Sequence, residues 1–275
     1  MAHVAAAQFG GHMLTHYGPT AHWFAARWPI ALFGLSFSFD QVTLQQLIQK
    51  LRRALFRLTE LFYEWRYGIV SDTEILVAGL GITDNACHDY LATSYVRFRQ
   101  LIKHVEIHAD EDVFLDFGSG LGRAVILAST YPFTRVIGVE LVTDLHLKAQ
   151  ENIRRALRRL RCRDIELYNA DARTFSIPED VTVIYMWNPF SGEVLRQVCA
   201  NVHQSIIEAP RRVTIVHLSP TNPTDLDLIK ENLPWLRESK RLTLGAKSHA
   251  VIYTCGTPDE PAASSEAVAE LAEAV

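Results

Sequence analysis

Acidic residues are missing from the first 39 positions of this 275-residue chain, and Arg27 is the only lysine or arginine among them. That start lacks the basic opening, apolar centre and small-residue cleavage site of a secretory signal. A single arginine does not favour an organelle address, although the shortage of acids leaves one open. Long apolar runs are also scarce. The most aromatic stretch, Ala21–Phe39, is broken by Arg27 and Pro29, whereas a spanning helix needs about 20 predominantly apolar residues. We expect no membrane span. Cysteines number four, Cys87, Cys162, Cys199 and Cys255, and none forms a C-x-x-C pair. This excludes a disulfide scaffold and a zinc ribbon, and points to reduced thiols in a cytoplasmic protein. Strong charge of one sign is lacking too: the net value of −4 rests on a tail after Gly256 that holds Asp259, Glu260, Glu266, Glu270 and Glu273 and no base. Without that tail the body is close to neutral, so global charge names no partner. A hydrophobic content of 48% over this length can bury a full core with an accessory segment.

What is present concentrates in residues 113–123, VFLDFGSGLGR. Val113, Phe114 and Leu115 read as a buried strand, Asp116 ends it, Gly118, Gly120 and Gly122 alternate, and small apolar residues follow at helical pitch. A strand, a glycine turn and a helix start form the device by which an α/β sheet holds a nucleotide-like ligand. The dinucleotide pattern G-x-G-x-x-G is not met, because Arg123 stands where its third glycine belongs. An acid two places before the first glycine is foreign to that pattern as well, and suits a ligand bearing an ammonium group.

Three further strands extend the reading. Arg135–Glu140 ends in an acid, Ile165–Tyr168 runs into Asn169-Ala170-Asp171-Ala172, and Val181–Met186 runs into Trp187-Asn188-Pro189-Phe190. In this order the motifs resemble those of the class I methyltransferases that use S-adenosylmethionine (SAM), and DFGSGLG with GVE also resembles the non-SET histone lysine methyltransferases. The resemblance implies a seven-stranded, doubly wound α/β sheet, mostly parallel, with a C-terminal antiparallel hairpin over 241–254. It implies SAM as cofactor, held by Asp116, Gly118, Ser119, Gly120, Gly122, Glu140, Asp171, Ala172 and Asn188. Asp116 would meet the ammonium group, Glu140 the ribose hydroxyls and Asp171 the adenine. Asn188, Pro189 and Phe190 would carry the reaction. The carbonyl oxygens of Asn188 and Pro189 can accept the protons of an attacking amine, and the proline fixes the backbone that presents them. Trp187 or Phe190 could stack on the substrate. This motif has one proline where the family commonly has two, so an oxygen or carbon nucleophile, with His217 as a base, is the alternative. A SAM-fold protein without catalysis is the second.

Around this domain, taken as residues 86–255, lie a helical cap over 1–85 and an acidic tail over 256–275 whose composition predicts disorder. Leu44, Leu47, Ile48, Leu51, Leu55, Leu58, Leu61 and Phe62 recur at helical steps, with Lys50, Arg52, Arg53 and Arg57 on the remaining face. The aromatic cluster that ends the helix reads as packing, with Tyr67 as a lesser candidate for the substrate mouth. Arg154, Arg155, Arg158, Arg159, Arg161 and Arg163 form a basic stripe that could meet nucleic acid, but no aromatic side chain interleaves it. Asn152 reads as a helix-surface residue and His217 as a buried histidine with its nitrogens satisfied. His104 and His108 stand four apart, but no acid or cysteine completes a metal set, and no metal is expected. The methyl acceptor, a protein lysine or a small molecule, is not written in the sequence.

Overall fold

The computed structural model describes residues 44–71, 92–219, 229–231, 233, 236–245 and 248–255. The tail, most of the N-terminal arm and Cys87 lie outside the described residues. The chain divides into two compact units, residues 1–47 and 48–275. Of the first, only Leu44–Leu47 is described, as the opening of helix α1 (Leu44–Tyr67). Among the described residues no helix is long and apolar enough to cross a membrane.

In the second unit, α1 stops at Gly68, which sits at φ +70° and donates its N–H to Glu64 O at 2.9 Å. Without a Cβ, glycine takes this left-handed position at the end of a helix without strain. Helix α2 (Tyr95–Ile102) follows, capped by the Ser94 side chain. Then strands and helices alternate: β1 (Val113–Phe117), α3 (Arg123–Ala128), β2 (Arg135–Glu140), α4 (Thr143–Ala156), β3 (Ile165–Asn169), β4 (Val181–Trp187), α5 (Gly192–Glu208) and β5 (Val213–Ser219). Strands β6 (Arg237–Gly245) and β7 (Ser248–Cys255) close the sheet as an antiparallel hairpin.

The seven strands lie in the order β3-β2-β1-β4-β5-β7-β6, with the first five parallel and β7 antiparallel to β5. The seven-stranded sheet and its closing hairpin match the sequence expectation. Val113–Phe117, apolar except for Asp116 and buried at every position, has the character of a strand covered on both faces. Phe114 joins Phe98, Val125 and Tyr185 in one apolar cluster, while Leu115 joins Ile184, Leu195 and Val198 in the other. Burying each large side chain contributes about 1.5–3 kcal/mol. The register brings Phe117 beside Val139 on β2 and Met186 on β4. The carboxyl ends of these three strands therefore meet at one edge, where the order of strands reverses. Ligands of open α/β sheets bind at such a place.

Helix α1 inverts the usual arrangement. An amphipathic helix ordinarily turns its apolar stripe to the core. Here the buried residues are Glu60 and Tyr67, while Leu51, Leu55, Leu58, Phe62 and Trp65 face outward.

Candidate functional site

Asp116 is the penultimate residue of β1 and is buried. After it the chain turns through Gly118, Gly120 and Gly122 at φ +73°, +53° and +79°. The N–H groups of Gly118 and Ser119 both donate to Val139 O, at 2.9 and 3.0 Å, which fixes the turn to the end of β2. Gly118 also lies against β4's end. A Cβ built there would fall 2.4 Å from Pro189 Cβ, so the turn and the Asn-Pro motif close on each other only because residue 118 has no side chain.

Glu140 ends β2. Its Oε2 accepts the Gly120 N–H at 2.7 Å and its Oε1 accepts the Val142 N–H at 2.8 Å. Burial raises its pKa, and backbone N–H bonds from Val142, Gly120 and Leu141 oppose the rise. Asp116 is raised well above the usual carboxylate range, first by burial and then by the charge of Glu140. Among the described residues no lysine or arginine pairs with either acid, and the buried Ser119 hydroxyl meets no hydrogen-bond partner. Two buried carboxylates and an unpartnered hydroxyl at one strand edge suit a ligand that brings positive charge and hydroxyl donors. SAM, with its ammonium, sulfonium and ribose hydroxyls, meets that requirement.

At the end of β4, Asn188 is buried and held at φ +41°. Positive φ is uncommon outside glycine, asparagine tolerates it best, and such positions cluster at functional sites. Trp187 is half-buried against the first apolar cluster, and Phe190 is 5% exposed within the second. Phe190 thus packs in that cluster beside the Asn-Pro motif. Tyr67 is likewise buried, in a stack with Tyr63 and Tyr95 at ring separations of 6.1 and 6.3 Å.

Asp171 follows β3 and makes a salt bridge with Arg173, whose hydrogen bond holds the carboxyl below its ordinary pKa. Ala172 packs against the second cluster, and its carbonyl accepts from Asn201. In the basic stripe, Arg154 and Arg155 pair with Glu151, while Arg159 donates to the carbonyls of Tyr67 and Arg155.

Three sequence readings require correction or extension. Asn152 is buried: its amide donates to Leu121 O at 3.0 Å and Val70 O at 3.2 Å, and its oxygen accepts from Val70 N–H. It ties the glycine turn to the end of α1 and is no helix-surface residue. His217 is fully buried on β5 between Met186 and Val251, but among the described residues neither ring nitrogen has a hydrogen-bond partner, and burial lowers its pKa to about 3. The satisfied histidine expected there is absent. Arg123, which served only to exclude a dinucleotide site, proves to be a buried anchor. Its guanidinium donates to Glu60 and Glu64 at 2.8 Å each, to Ser71 Oγ at 2.8 Å and to Thr93 O at 3.1 Å, with Cζ 4.5 Å from the Tyr95 ring centre. The available signal was Glu60 and Glu64, one turn apart and the only acids of an otherwise basic helix.

A family model described as histone methylation protein DOT1 matches residues 86–218. The H3 lysine-79-specific histone-lysine N-methyltransferase of Drosophila melanogaster is 42% identical over 52 residues, which is 18% of this chain. The chain spans only 3% of that relative's length. Among solved structures, an RNA methyltransferase from Salinibacter ruber bound to S-adenosyl-L-homocysteine is 21% identical, with 62% of this chain and 96% of that one covered at a TM-score of 0.44. A SAM-dependent methyltransferase from Aquifex aeolicus is 14% identical, with 58% and 89% covered at 0.47. The strand order and the acid-headed glycine turn are those of a doubly wound, Rossmann-like sheet, and over residues 86–218 the chain is similar to the DOT1 histone methylation family.

Proposed function

We propose that this protein methylates an amine nitrogen, and that the acceptor is a lysine side chain of a protein. The observation that carries the reading is Asn188, an asparagine in a left-handed conformation at the end of β4, directly before the proline that abuts Gly118. The DOT1 match supports lysine over a small-molecule amine. Bound SAM supplies a methyl group on a sulfonium, an electrophile with a good leaving group. The residues of the chain would bind, align and desolvate. Asp116 would meet the ammonium group, Glu140 the ribose hydroxyls, and the turn at Gly118–Gly122 would lie along the ligand, with Asp171 and Ala172 towards the adenine. The carbonyl oxygens of Asn188 and Pro189 would accept the N–H protons of the incoming amine and aim its lone pair at the methyl carbon. Such alignment is worth several orders of magnitude in rate. His217 lacks the exposure and the basicity to deprotonate a substrate, which leaves the oxygen- or carbon-directed alternative without a base at that position.

Residues 86–255 would form the catalytic domain and 1–85 its cap, an assignment supported by the anchoring of Glu60 and Glu64 on Arg123. Free buried Cys162, Cys199 and Cys255 fit a reducing, cytoplasmic setting.

The test pairs radiolabelled SAM with fractionated lysate and purified histones, using wild-type protein and the Asn188→Ala and Asn188→Gly variants. Label should enter protein as methyl-lysine. Both variants should bind SAM within a few-fold of wild type while turnover falls about 10²-fold. Glycine takes positive φ freely, so equal losses in both trace to the amide and not to strain. Near-normal turnover in either variant, or label confined to small molecules, would overturn the reading.

A further inference from the structure

On the outer side of α1, Ile48, Leu51, Leu55, Leu58, Phe62 and Trp65 are between 40% and 74% exposed. Their steps alternate between three and four residues, so they form one continuous stripe. At about 100° per residue they occupy roughly 100° of the helix circumference, and exposed Leu61 widens the stripe on one side. Cations border both sides: Lys50 and Arg57 along one, Arg52 and Arg66 along the other. The only two acids of the helix, Glu60 and Glu64, point the opposite way, onto Arg123. The outward face is therefore apolar at its centre and cationic at its margins, with Phe62 and Trp65 at its C-terminal end.

We propose that this face of α1 lies on an anionic lipid bilayer and holds the enzyme at a membrane surface. A helix that sinks an apolar face to the headgroup boundary and meets lipid phosphates with flanking lysines and arginines has this composition. The sequence before the helix adds to the argument. Residues 21–39 contain Trp23, Phe24, Trp28, Phe33, Phe37 and Phe39, and their one lysine or arginine is Arg27. A second copy of the chain is a poorer occupant, because pairing two such helices would bring their cationic margins together.

Flotation of the full-length protein with vesicles tests this. Vesicles of phosphatidylcholine plus about one quarter phosphatidylglycerol should carry the protein, pure phosphatidylcholine should carry much less, and high salt should release it. The double variant Leu55→Glu, Leu58→Glu changes two exposed positions away from the ligand site. It should bind anionic vesicles at least tenfold more weakly, while calorimetry shows unchanged SAM affinity and so an intact fold. Wild-type protein that fails to float with anionic vesicles would overturn the proposal. So would a wild-type dimer in sedimentation that the double variant converts to monomer, since the stripe would then be a helix-pairing surface.

Discussion

Removing the Arg123 guanidinium tests how the N-terminal helix is held. In Arg123→Ala, Glu60 and Glu64 lose their counter-ion while remaining 5% and 12% exposed, too little for water to take over its role. Glu60 would keep the Ser94 hydroxyl and the Tyr95 N–H; Glu64 would keep the Ser71 N–H and hydroxyl and the Tyr95 hydroxyl. These are neutral donors and do not neutralise two buried charges. Breaking a buried ion pair on one side costs about 3–5 kcal/mol, and each kcal/mol moves Tm by about 2–4 °C in a chain of this size. Urea and thermal unfolding followed by circular dichroism should therefore show a loss of about 3–5 kcal/mol and a fall of roughly 6–20 °C. The triple variant Arg123→Met, Glu60→Gln, Glu64→Gln removes all three charges and leaves acceptors for the remaining donors, so it should recover more than half of the loss. A loss below about 1 kcal/mol in Arg123→Ala would mean that the network behaves like a surface ion pair. A triple variant as unstable as the single one would show that packing against Tyr95, and not charge, is the source.

Gly118→Ala places a Cβ against Pro189 at a position of positive φ, so calorimetry should show SAM binding lost; retained affinity would mean that the turn and the Asn-Pro motif are not locked together. Glu140→Ala should weaken SAM at least tenfold and, because it strands the Gly120 and Val142 N–H groups, should also cost the ligand-free protein about 1–3 kcal/mol in urea unfolding. An unchanged unfolding midpoint would contradict the hydrogen bonds described for Glu140. His217 is held down to about 3 in the folded protein against an ordinary 6.5. The unfolded chain takes up the proton first, so the stability tied to this group is complete above about pH 6.5 and is lost as pH falls from there towards 3, by at most about 1.4 kcal/mol per pH unit. His217→Leu should flatten the loss between pH 6 and 4, and an unaltered slope would show that the imidazole is not the titrating group.

The sheet was legible because its strands are short β-branched and aromatic runs with unambiguous punctuation, and the glycine turn was legible because its spacing excludes other ligands. Helix α3 begins only at Arg123, because Gly122 sits at positive φ before it. What escaped the sequence were side chains whose partners lie far along the chain. Asn152 looks like any polar helix residue until Val70 and Leu121 are brought to it. Arg123 has its acids more than fifty positions away. Periodicity showed that α1 is amphipathic, but it could not show that two glutamates, and not the leucines, would face inward.

The reversal of strand order has one more consequence. Residues 113–169 build β1, β2 and β3 on one side of the sheet's midline, and residues 181–219 build β4 and β5 on the other. Asp116, the glycine turn and Glu140 belong to the first half, and Asn188 to the second, and within the sheet the two halves are joined where β1 pairs with β4. In this arrangement neither half is a receptor by itself. A ligand that spans the seam draws its affinity from both and tightens their association in return, by the reciprocity that links any binding event to the assembly it requires. Cofactor occupancy would then act as a clasp across the β1–β4 pairing, beside contacts that already join the halves, such as that of Asn201 on α5 with the Ala172 carbonyl.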